Sequence, residues 1–163
     1  MNIVRVILIK WYYKYQTKVK YLISIDDDIE KLMDYDKPLI DLHKFIKLMF
    51  NETEKRKLNV WGVSPFHNTF FLKSTISHNL KYICGAFNGE IIDRKKHDIY
   101  TEYDHLEDFG FTCEHFLRDG GVVRHNGVAI VTKYFADGGI NESYGGLDKR
   151  KLDMEIACKH FKE

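Results

Sequence analysis

An apolar run that ends abruptly in three carboxylates, YLISIDDDIE over residues 21–30, sets the tightest limit on how this chain folds. Neighbouring like charges repel, and a carboxylate is costly to bury without a partner. Asp26, Asp27 and Asp28 must therefore emerge at the surface or gather around a cation. Residues 21–25 read as a short buried strand with the triplet at its mouth. Two readings stay open at this stage: a solvated turn leading into the next element, or a divalent-metal site. In an extended stretch, side chains at i and i+2 point to the same side. Asp26 and Asp28 would then share one site, with Asp27 turned away or supporting it.

The bulk composition fits one domain over residues 1–163: 44% hydrophobic and 14% aromatic residues supply a core, and 30% charged residues are ordinary for a soluble chain. Two prolines and eleven glycines argue against a long linker. A net charge of +1 gives no global pull toward nucleic acid or an anionic membrane. The three cysteines Cys84, Cys113 and Cys158 form no CxxC pair, which speaks for core thiols in a reducing, intracellular setting rather than a disulfide framework. The N-terminal MNIVRVILIK is too short to span a bilayer and lacks a cleavage pattern, so a membrane partner is not expected.

Strands and helices mix along the chain. Residues 3–9 (IVRVILI) read as a strand. Residues 10–21 interleave lysines with Trp11 and several tyrosines, a pattern that serves nucleic acid but more often covers an amphipathic surface. A helix is expected over 36–50, capped by Asp36 with Pro38 in its first turn and His43 on its surface, followed by a polar connection at 51–57. Residues 58–63 form a strand and 64–73 a loop. Two hairpins are expected, turning at Asn88-Gly89 within 80–92 and at Asn126-Gly127 within 122–135. Between them, residues 103–121 carry a helix with Asp104 as cap and Glu107 at its third position, closed by Gly120-Gly121. A Gly-rich loop spans 136–146 and an amphipathic helix 147–161.

Four features carry chemistry. The acidic triplet offers hard oxygen ligands for a cation bridging to a diphosphate. In LEDFG (106–110), Glu107 and Asp108 either favour a helix N-terminus through the macrodipole or present a general base to an acceptor hydroxyl. Glycines of ADGGINESYGG, Gly138 and Gly139 among them, can bring backbone N–H groups to phosphates or simply turn the chain. His125 and His160 are the downstream candidates for a third metal ligand, each more often an ordinary histidine.

Taken in order, SIDDDI, VWGVSPFHNTFF, KYICGAFNGEII, LEDFGFTCEHFLRDGG and TKYFADGGI resemble the second half of a GT-A-type nucleotide-sugar glycosyltransferase. The Asp-x-Asp and the later Glu-Asp are that family's signature elements. LEDFGFTCEHF and FADGGI are most similar to the glycosyltransferases associated with TET/JBP hydroxylases of phages and large DNA viruses. The resemblance implies an α/β fold, a truncated GT-A-like mixed sheet flanked by helices. It implies Mn2+ or Mg2+ held by Asp26 and Asp28, Asp108 as base or acceptor-binding carboxylate with Glu107 in support, and Asp27, Asn68, Gly85, Gly89, Gly138 and Gly139 lining donor or acceptor. Its partners would be a nucleoside-diphosphate sugar and a hydroxyl acceptor, a modified DNA base being one case. GT-A enzymes usually place a full nucleotide-binding βαβ half before the Asp-x-Asp, whereas 25 residues precede Asp26 here. That half is expected to be short or missing, leaving a sheet edge open to a second copy or a partner chain. A metal-dependent phosphoesterase or nuclease, and a non-catalytic interaction protein, are the competing readings.

Overall fold

A computed structural model describes residues 18–93 and 107–132. The expected strand at 3–9, the Asp104 cap, the Gly-rich loop with Gly138 and Gly139, and the helix at 147–161 with His160 lie outside these residues.

The elements are β1 (Tyr21–Ile25), β2 (Ile29–Asp34), β3 (Lys37–Pro38), α1 (Leu42–Lys55), β4 (Val60–Ser64), β5 (Ile76–Ser77), β6 (Phe87–Ile91), α2 (Glu107–Asp119) and β7 (Val123–Thr132). The strands join in one mixed seven-stranded sheet, ordered β1-β6-β4-β7-β2-β3, with β5 pairing β7 off this path. Only β4 and β7 run parallel; β1–β6, β4–β6, β2–β7, β2–β3 and β5–β7 are antiparallel.

The shortness of the acidic link fixes the shape of this sheet. β1 and β2 are consecutive in the chain but are separated in the sheet by β6, β4 and β7. Flat, that separation is about 19 Å at ~4.8 Å per strand, whereas the chain from Ile25 to Ile29 spans at most ~14 Å. The sheet therefore curls, and residues 26–28 strap across the end of β4.

Alternation along β4 separates two cores. Trp61 and Val63 point to one face and pack with Phe45, Met49 and Phe50 of α1 and with Phe87, Val128 and Ile130. Val60 points to the other and packs with Ile83, Val122 and Phe111 of α2. Trp61, fully buried, meets Phe45, Phe50 and Phe87 edge-on.

Four expectations are corrected. Residues 21–25 are an edge strand rather than a buried one, with Tyr21, Ile23 and Ile25 exposed. Helix α1 starts at Leu42 and runs through Lys55, because Asp34 and Met33 first pair with Lys37 and Pro38 in a tight hairpin. The cap is therefore Asp41, whose carboxylate accepts the Lys44 N–H at 2.8 Å. Asn88-Gly89 is not a turn but the middle of β6, where Gly89 lies under the Trp61 indole and a Cβ would enter the ring. Asn126-Gly127 sits inside the continuous strand β7 as a bulge, the register with β4 jumping from Val63↔His125 to Ser64↔Ala129.

Candidate functional site

The segment at 82–86 is the hub of the site, and α2 explains why. Residues 81–84 belong to no strand, so their backbone donors need other partners. In an extended chain alternate N–H groups point the same way, and on a helix residues four apart share a face. Ile83 and Gly85 meet Thr112 and Asp108 through this match. The Ile83 N–H donates to Thr112 Oγ1 at 3.0 Å and the Gly85 N–H to Asp108 Oδ2 at 2.8 Å. The Tyr82 hydroxyl adds a third bond to Asp108 Oδ2 at 3.1 Å, and Thr112 Oγ1 donates back to the Asp108 carbonyl at 2.7 Å. Asp108 sits in the first turn of α2 beside Glu107, where the helix dipole favours negative charge. Its carboxylate lies so close over Gly85 that a Cβ there would overlap it.

From the other side, the Asp26 N–H donates to the Ala86 carbonyl at 2.9 Å, fastening the start of the acidic strap to the same turn. Asn88 holds the turn from within β6, its amide donating to the carbonyls of Cys84 and Gly85 at 3.1 and 3.0 Å. Cys84 lies among these groups. Burial raises its thiol pKa to about 11, with the carboxylates of Asp108 and Asp26 pushing the same way against the Ala86 backbone donor and Tyr82. Burial first, then Asp108, raises the Tyr82 phenol as well. Both groups are neutral donors at physiological pH.

The structure thus brings Asp26, Gly85 and Asp108 together. Asp27 and Asp28 are exposed in the turn between β1 and β2. Because residues 27–28 turn, the strand alternation expected to pair Asp26 with Asp28 does not apply there. Among the described residues no three His, Cys, Asp or Glu side chains converge as a ready-made metal group. Asn68 turns its own loop, its side chain accepting the Phe70 N–H at 3.1 Å. His43 is exposed on α1. His125 is a structural histidine: its Nδ1 accepts the N–H groups of Gly127 and Val128 across the β7 bulge, its ring meets Phe45, and burial lowers its pKa.

Sequence reasoning missed Tyr82, Thr112 and the part played by Asn88. The alternation of 83 and 85 against 108 and 112 is visible only once the segment is known to lie along α2. It also missed a buried charged group under the far end of α2. His115 is fully buried, Arg118 donates to its Nδ1 at 3.0 Å, Asp119 lies 3.5 Å from the same atom, and Glu90 of β6 is 4.0 Å from its Nε2. Arg118 also donates to both Asp119 oxygens, at 3.0 and 2.8 Å.

No family model, no curated protein and no solved structure matches this chain. Among the described residues no helix is long and apolar enough to cross a membrane.

Proposed function

We propose that this chain is a metal-dependent glycosyltransferase, moving a sugar from a nucleoside diphosphate to a hydroxyl acceptor at the 82–86 turn. One observation carries the reading. The acidic strap and the Glu-Asp pair, far apart in sequence, are fastened to successive residues of one turn, Asp26 to Ala86 and Asp108 to Gly85. Asp108 meets the turn through its carboxylate and Asp26 through its backbone N–H, so two residues that bear carboxylates are held at one turn.

The donor set is chemically suitable. Magnesium-type ions are commonly held by one or two carboxylates together with substrate phosphates, rather than by an all-protein cage. Asp26 and Asp28 would provide those carboxylates, and the cation, when bound, supplies neutralisation of the departing diphosphate. Asp108 takes the role of base or acceptor ligand, held by the Gly85 N–H and the Tyr82 hydroxyl. Among the described residues β1 ends the sheet, and a mixed sheet of this kind is compatible with a GT-A-like arrangement.

The test is thermal stability with UDP, GDP and UDP-glucose, each with and without Mn2+. A ligand at ~100 times its dissociation constant stabilises by about 2.7 kcal/mol. A shift that requires both nucleotide and metal, and disappears in Asp26→Asn/Asp28→Asn, is the expected result. No shift with any nucleotide would turn the reading toward a non-catalytic interaction protein.

A further inference from the structure

We infer that β1 is a self-association edge: two copies of this chain pair antiparallel through residues 20–26, centred on Ile23. The first observation is the backbone. Lys20 accepts from Ile92 and Asp26 donates to Ala86, so the even-numbered residues of this stretch turn their N–H and C=O groups toward β6. Tyr21, Ile23 and Ile25 then present theirs outward, where no other strand of the described residues pairs with β1. Their side chains are 42%, 40% and 57% exposed. The strand carries none of the usual edge protection, having no proline, no bulge and no charge within 21–25.

The second observation names the occupant. The segment reads Lys18-Val-Lys20-Tyr-Leu-Ile23-Ser-Ile-Asp26-Asp-Asp28, basic at one end and acidic at the other. Pairing Ile23 with Ile23 of a second copy sets Tyr21 opposite Ile25 and Lys20 opposite Asp26. Every outward-facing residue then meets an outward-facing residue, and the charges that flank the strand meet their opposites on both sides of the dyad. A parallel pairing would set acid against acid. Lys20 already bridges to Glu54 of its own α1, which holds it at the strand. The β1 edge pairs through its backbone whether or not the acidic turn binds a metal, and Asp26 is the one residue that both readings use. A five-residue edge buries less than the ~1,200–2,000 Å² of a standard stable interface, so the dimer belongs to the micromolar range or weaker.

Sedimentation velocity of the full chain from about 5 to about 200 µM reads this directly. A concentration-dependent dimer weakened by high salt is expected. Ile23→Pro should be monomeric yet folded by circular dichroism, since the lost N–H points away from β6. The register is tested by charge exchange. Lys20→Glu alone and Asp26→Lys alone each place like charges opposite one another in a homodimer and should weaken association about tenfold. An equimolar mixture of the two restores both attractive pairs and should recover wild-type association. The proposal is overturned if the wild type stays monomeric throughout, if Ile23→Pro still dimerises, or if the mixture fails to recover. Amide protection of Ile23 in a strictly monomeric sample would give the edge to another strand and overturn it equally.

Discussion

Thr112→Val separates the hydrogen bonds at the site from its packing. Thr112 is 2% exposed, and its hydroxyl both accepts the Ile83 N–H and donates to the Asp108 carbonyl. Valine keeps the shape, the branching and most of the volume, so no cavity opens. It leaves the Ile83 N–H buried with its acceptor gone, at a cost of about 1–3 kcal/mol. Thr112→Ser does the reverse, keeping both bonds and giving up one methyl group, worth about 1 kcal/mol. Packing alone would rank serine as the more damaging change; the hydrogen-bond account ranks valine so. Urea denaturation compares the two midpoints at constant slope. For a chain of this size, each kcal/mol moves the melting temperature by about 2–4 °C, so the valine variant should lose about 2–12 °C. Serine proving as damaging as valine, or more so, would refute the stitching of 82–85 to α2 and loosen the placement of Asp108 with it.

Three other perturbations probe the same region. Gly85→Ala drives a methyl into the Asp108 carboxylate and should cost about 1–3 kcal/mol, with much of the loss recovered in Gly85→Ala/Asp108→Ala; additive single effects in that cycle would contradict the close approach. On the alkaline side, the Cys84 thiol is raised from 9.0 to about 11 in the fold, so its stabilisation is intact below pH 9 and lost as pH rises through about 11. That difference corresponds to about 2–3 kcal/mol, and urea midpoints measured across this window should fall less steeply in Cys84→Ser. Finally, Asp27→Asn/Asp28→Asn removes repulsion from an exposed turn and should leave the ligand-free stability within about 0.5 kcal/mol of wild type, or slightly higher. A marked destabilisation would make the turn a folding element.

Much of the secondary structure was legible because it is local. Phe45, Ile46 and Met49 recur at helical spacing and lie on α1, and the expected strand at 58–63 became β4; α2 stands where a helix was expected but buries Gly110, Phe111, Thr112 and His115, leaving Phe109 and Leu117 exposed. The turns were misplaced where tertiary contact overrides local preference. Asn88-Gly89 carries a strong hairpin signal, but Trp61 needs a residue without a side chain beside it, and β6 pairs on both sides. Asn126-Gly127 is similar: His125 accepts from the backbone of Gly127 and Val128, and Asn126 bonds to Thr75, which turns the signal into a bulge. The meeting of Asp26 and Asp108 at one turn is a matter of tertiary structure. It could not be read from spacing, because it depends on sheet order and on an extended segment with no periodicity of its own.

The acidic turn also bears on why its charges are there. The curl of the sheet requires a short strap between β1 and β2, and aspartate suits such turns through its short side chain and local hydrogen bonding. Turn chemistry can therefore account for one or two of the three residues. It does not by itself call for a third adjacent carboxylate. Exposure of Asp27 and Asp28 keeps their repulsion small in water, so the strap folds without a counter-ion. Under the proposed function, the same charges, with Asp26 half-buried beside the 84–86 turn, would hold a cation only together with a ligand such as a diphosphate that excludes solvent and completes the coordination. A site assembled in this way needs no preformed cluster of three ligands, and it separates the stability of the chain from its ligand response. Paired with Lys20 of a second copy, Asp26 would instead be met across the β1 edge. Metal-dependent binding and self-association would then both draw on Asp26, and high protein concentration would weaken the nucleotide response.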